Sequence, residues 1–144
     1  MAYSHRKKPP VNLAVQMLTL KKRYANIEMC KLEKGRLICV MNITPSTESW
    51  TYKVRIIYTL RNRPEVFLLS PKLREHDGKN PPHLYPDDSA GNPSLCIYYP
   101  KYYEWESTML LADSFIPWIS TWLLTYENWL ITGTWHYPEI THGA

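Results

Sequence analysis

Residues 81–100 read PPHLYPDDSAGNPSLCIYYP. Five of the chain's twelve prolines fall here, beside Asp87, Asp88, Gly91 and Asn92, so most of the stretch is expected to be an irregular loop. Leu95, Cys96, Ile97, Tyr98 and Tyr99 then form a short apolar run of the kind that enters a packed core. A cysteine at such a junction can be anchored by its neighbours while its sulfur stays reachable, and partial exposure is what a nucleophilic thiol needs.

Upstream of the loop, Leu13, Met17, Leu20 and Tyr24 recur at spacings of four, three and four, widened by Ala14 and Leu18. Lys21, Lys22 and Arg23 gather near the end, at the negative pole of the amphipathic helix this pattern predicts. Arg36 to Ile43 reads as a strand preceded by a turn at Gly35. Tyr52, Val54, Ile56 and Tyr58 alternate with polar residues, as a half-buried strand requires. Glu65 to Leu69 reads as a further short strand, stopped by Ser70 and Pro71. Helix, then strands joined by short connections, predicts an antiparallel meander of about three to four strands. Beyond the loop, Pro100 to Trp105 leads towards a second helix. There Ile116, Ile119, Leu123, Tyr126 and Leu130 share a face, Pro117 suits the first turn and Gly133 suits the stop. With no internal repeat or linker, residues 1–144 are expected to form one α+β domain, with residues 1–10 as a flexible basic terminus.

A chain of 144 residues is long enough to bury a core without staples. Six Trp and eleven Tyr against two Phe suit partner surfaces that are half wet, or a small core filled with large rings, and the second reading is the commoner. Net charge is +4, and the one dense basic cluster is His5, Arg6, Lys7 and Lys8, which reads as a solvated terminus more than a nucleic-acid contact. No secretory leader opens the sequence, so a cytoplasmic setting is the default. Met109 to Ile131 is strongly apolar, yet Asp113, Pro117, Glu127 and Asn128 interrupt it; a buried helix is expected, with no membrane partner.

Phosphate loops, HExxH and Gly-x-Ser-x-Gly are absent. His76, His83, His136 and His142 are scattered without metal-ligand spacing, and Cys30, Cys39 and Cys96 have no close pair, so neither a metal nor another cofactor is called for. Cys39, inside an apolar strand, reads as an inert buried thiol, and Cys30 as structural. At Cys96, backbone N–H groups or His83 would help a thiolate, whereas Asp87 and Asp88 would oppose it and suit orienting an incoming amine.

The element order, with a lone cysteine behind a proline-rich flap, resembles the ubiquitin-conjugating (UBC) fold. In that family a strand leads to a His-Pro-Asn segment, then Gly-x-x-Cys-Leu and a later Trp. The comparable run here is PEVFLLSPKL, PPHLYPDD and NPSLCIYYP, with Trp105 nine residues beyond Cys96. The C-terminal half looks like the stand-alone conjugating-enzyme-like proteins of bacterial type II CBASS anti-phage operons. It has Pro82-His83, Leu95-Cys96-Ile97-Tyr98-Tyr99-Pro100, Glu104-Trp105, Pro117-Trp118, Trp122-Leu123, Tyr126-Glu127, Trp129 and Thr132-Gly133-Thr134-Trp135.

The resemblance implies a cysteine acyl transferase. Cys96 would accept the C-terminal glycyl group of a protein as a thioester and pass it to an amine, usually a lysine. The protein acted on would be the cGAS-like (CD-NTase) nucleotidyltransferase encoded beside it. No adenylation domain is visible, so the carboxylate would arrive already activated. The family's Asn has no clear equivalent, since His83 is followed by Leu84 and Tyr85; His83 or backbone N–H groups near Cys96 would have to support the oxyanion, or His83 would hold the flap. The alternative is a catalytically silent UBC-like scaffold that grips its partner through Trp105, Trp118, Trp122 and Trp129, residues that equally suit the core. A cysteine hydrolase ranks last for want of a His and Asp or Asn partnership.

Overall fold

The computed structural model describes residues 8–97 and 105–136. The expectations for residues 5–7, for Tyr98, Tyr99, Pro100 and Glu104, and for the tail from 137, with His142, lie outside the described residues.

Helix α1 (Leu13–Arg23) starts where the Asn12 side chain accepts the Val15 N–H at 2.9 Å, and its last turn carries Lys21, Lys22 and Arg23. Leu20 is buried, with Leu13, Met17 and Tyr24 packed against the core. The stripe is narrower than its sequence suggested: Leu18 is 61% exposed and Ala14 also faces solvent. Its place is taken by Gln16, which is fully buried. The Gln16 amide donates to the Met109 carbonyl at 2.8 Å and accepts the Leu111 N–H at 2.9 Å. A buried amide is tolerated because both ends are satisfied. The Tyr24 hydroxyl donates to the Ala112 carbonyl at 2.6 Å, so α1 is tied along its length to the segment that enters the second helix.

Strands β1 (Ile27–Glu33), β2 (Arg36–Ile43), β3 (Tyr52–Thr59) and β4 (Glu65–Ser70) form the antiparallel meander. The two-residue turn between β1 and β2 has positive φ at both Lys34 (52°) and Gly35 (75°), the backbone twist that suits a tight hairpin. β1 is the strand that periodicity did not reveal. It is an edge strand with no fully buried residue, so it carries no core-facing alternation to read. On β3, by contrast, Tyr52, Val54, Ile56 and Tyr58 are all fully buried and Lys53, Arg55 and Ile57 are not. The proline-rich segment adds two short strands, β5 (Leu84–Tyr85) and β6 (Ser94–Leu95), giving the sheet order β1-β2-β3-β4-β6-β5.

Helix α2 (Phe115–Thr132) covers the inner face of the sheet: Tyr126 meets Tyr52 edge-on at 6.4 Å, and the Tyr52 hydroxyl donates to Glu127 at 2.6 Å. Pro117 is its third residue, where no intrahelical N–H bond is lost. Gly133 ends it with φ 74°, and a Cβ there would lie 2.7 Å from His76 Nε2. Among the described residues no helix is long and apolar enough to cross a membrane.

Three substitutions test this packing. Gln16→Leu leaves the Leu111 N–H and Met109 carbonyl without partners and is expected to cost about 1–3 kcal/mol in denaturant unfolding, while Leu18→Ala changes stability by no more than about 0.5 kcal/mol. Gly133→Ala, forced into the left-handed region and against His76, is expected to lower stability by about 1–3 kcal/mol.

Candidate active site

β5 and β6 pair Leu84 with Leu95 and Tyr85 with Ser94, and the Cys96 N–H continues the ladder by donating to the His83 carbonyl at 3.0 Å. β6 is joined to β4 through Phe67 opposite Ser94, and the Leu68 N–H donates to the Pro93 carbonyl at 2.9 Å. Side chains alternate across a strand, so this register sorts the residues. Leu95 and Ile97 are buried in the core with Leu84 packed on them from β5. Cys96, between them, turns to the outer face, which it shares with Tyr85, Ser94, Phe67 and Arg55. The thiol there is half-buried.

A cleft of about 480 Å³ opens on that outer face. Arg63, Glu65, Phe67, Tyr85, Asp87 and Asp88 are among its walls. Tyr85 is one of its walls and lies on the outer face with Cys96, its diagonal neighbour across the β5–β6 pair. Burial, then the nearby Cys96 thiol, raises the Tyr85 pKa above the ordinary phenol value, against the opposing pull of Arg63.

The two acidic residues have different situations. Asp88 accepts the N–H groups of Ala90 and Asn92, each at 2.9 Å, and the Asn92 amide at 3.0 Å, and pairs with Arg55 at 2.6 Å. These bonds, those from Asn92 first, hold its pKa at about 2. Asp88 thereby closes the 88–92 turn and pins it to β3. Asp87 is exposed and faces the cleft. The His83 ring lies on Trp135, with centroids 5.4 Å apart, and partial burial lowers its pKa below the usual histidine value.

Trp105, Trp118, Trp122 and Trp129 are all buried, which places the four in the core rather than on a face. Cys30 and Cys39 are cross-strand partners; the neighbouring Cys30 thiol, and then burial, push the Cys39 pKa far up. None of the three cysteines is in a disulfide. Among the described residues, no three of His, Cys, Asp and Glu converge on a metal position. Tyr85, which the sequence reading did not single out, is the cleft residue that shares a face with Cys96; it sits two residues after His83, where the His-Pro-Asn pattern has its Asn.

Asp88 also sets a pH dependence. Its folded pKa lies below the 3.8 of a free aspartate, so the folded state binds fewer protons than the unfolded one between the two values. Its contribution to stability is complete above about pH 4 and is lost as the pH falls towards 2. Asp88→Asn is expected to be less stable than the parent at neutral pH, with the gap narrowing through that window; a gap independent of pH would contradict the assignment.

A comparison with curated proteins finds no match. A family model described as "Type II CBASS E2 protein" matches residues 16–143, which takes in the whole sheet, the cleft and α2. CBASS E2 proteins have a role in anti-phage defence and are associated with CD-NTase operons in general. With nearly its entire length matched, the chain belongs to the type II CBASS E2 family.

Proposed function

We propose that the protein is a conjugating-enzyme-like acyl transferase in which Cys96 is the nucleophile. The observation that carries this reading is the placement of Cys96: backed by Leu95 and Ile97 in the core, half-buried, and turned to the outer face that it shares with Ser94 and Tyr85, two walls of the cleft. That is the rigid yet reachable setting an acyl-accepting thiol needs. Cys39 lacks it, being wholly buried.

The donor is the C-terminal glycyl carboxyl of the CD-NTase of the same operon, arriving as a thioester on an activating enzyme. The Cys96 sulfur attacks the thioester carbonyl carbon, the new C–S bond forms as the old one breaks, and the departing thiol takes the proton that Cys96 gives up. An amine of the acceptor protein then displaces Cys96 and leaves an amide. Of the paired acids, Asp87 is the carboxylate available to orient that amine, because the oxygens of Asp88 are occupied by Arg55 and by the turn. His83 acts as flap support: its carbonyl holds the Cys96 N–H and its ring leans on Trp135. The reaction takes place in the cytoplasm.

The test is intact-mass spectrometry of the protein co-expressed with its operon's nucleotidyltransferase and activating enzyme. The expected result is an adduct that dithiothreitol removes and that Cys96→Ala lacks. An adduct retained in Cys96→Ala would exclude Cys96 as the nucleophile.

A further inference from the structure

Acyl transfer to or from a thioester passes through a tetrahedral species whose oxygen carries negative charge, and a donor near that oxygen supplies much of the rate. The Cys96 N–H does not fill this role, since it already donates to the His83 carbonyl at 3.0 Å. The Tyr85 phenol is in a different position. Tyr85 lies opposite Ser94, so Cys96, two residues further on, is its diagonal neighbour on the same face, a separation that an aromatic side chain spans. Arg63 and Tyr85 line the same cleft, and the Arg63 charge bears on the phenol.

The donor inventory sets what each group can give. Arg63 has only donors, so its approach to the phenol oxygen leaves the single phenolic proton free to be donated towards the Cys96 side. Donation from a cation also polarises the O–H and strengthens the bond it gives. Once Cys96 is acylated, its sulfur has lost its charge and its proton, and the best acceptor beside it is the carbonyl oxygen of the new thioester.

We infer that the Tyr85 hydroxyl is the oxyanion donor of the Cys96 site, a role that rests on Cys96 being the acyl acceptor. In the transfer step the amine nitrogen attacks the thioester carbon and the C–N bond forms. The carbonyl π pair moves onto oxygen, where the Tyr85 O–H holds it. As the pair returns, the C–S bond breaks and Cys96 leaves as a thiolate. The amine gives its proton to water and the thiolate takes one back, leaving amide and thiol.

The experiment uses the full chain, its Cys96→Ala and Tyr85→Phe variants, and a glycine-ending peptide activated as its mercaptoethanesulfonate thioester, with free lysine as the amine. Loading of Cys96 and discharge to lysine are followed by mass spectrometry, and alkylation of the Cys96 peptide by iodoacetamide is followed in parallel. Alkylation displaces iodide and develops no oxyanion. Tyr85→Phe keeps the ring, and circular dichroism should show the parent's melting temperature. The expected result is a loss of ~10²–10³-fold in both loading and discharge, with half-saturation by lysine unchanged and alkylation slowed only a few-fold. Acyl rates close to the parent's, with Cys96 still loaded, would overturn the role of Tyr85 and leave Cys96 in place. An equal loss in alkylation and acyl transfer would also overturn it, reducing Tyr85 to a residue that positions the thiol. Absence of a Cys96 adduct in the parent would overturn the reading of Cys96 itself.

Discussion

The hydrogen bond from the Cys96 N–H to the His83 carbonyl, with the Leu84–Leu95 and Tyr85–Ser94 pairs beside it, decides which face of the sheet the cysteine meets. Side chains in a strand alternate with a period of two, so a slip of one residue would bury the thiol and expel Leu95 and Ile97. Burying those two apolar side chains holds the register, at roughly 1.5–3 kcal/mol for each. The reactive geometry is thus enforced by the core.

A ribbon of two residues per strand is too short to be stable alone, and its surroundings supply what it lacks. On one side it is joined to β4 through Phe67 and Leu68. On the other, the 88–92 turn is closed by Asp88 and fastened to Arg55 on β3, whose guanidinium also lies 5.3 Å above the Phe67 ring. Asp88, an acid that resembled part of the chemistry, therefore holds the loop. With all four tryptophans packed in the core, the scaffold reading loses the aromatic surface that motivated it.

Much of this was legible in the residues. The alternation of Tyr52, Val54, Ile56 and Tyr58 named the core face of β3, and the Pro117 and Gly133 signals bracketed α2. What escaped detection did so for physical reasons. β1 lies at the edge and buries nothing fully, so it carries no periodic signal. Gln16 occupies a core position because of two backbone groups about ninety residues away, and no local pattern reports such a partnership. The placement of Tyr85 and Cys96 on one face depends on the pairing register, which spacing alone does not specify. The cysteine itself stood out, since proline-rich punctuation followed by an apolar run is visible in the order of residues.

On the proposed reading, the core fixes a two-strand ribbon, the ribbon sets Cys96 and Tyr85 on one face, and the Tyr85 hydroxyl donates to the reacting carbonyl. The most direct measurement is a crystal structure of the Cys96→Lys variant joined through an isopeptide bond to a glycine-ending peptide, a stable mimic of the acylated cysteine. The expected result is the acyl carbonyl oxygen within hydrogen-bond distance of the Tyr85 hydroxyl. A carbonyl turned away from Tyr85, with that hydroxyl bonded elsewhere, would contradict it.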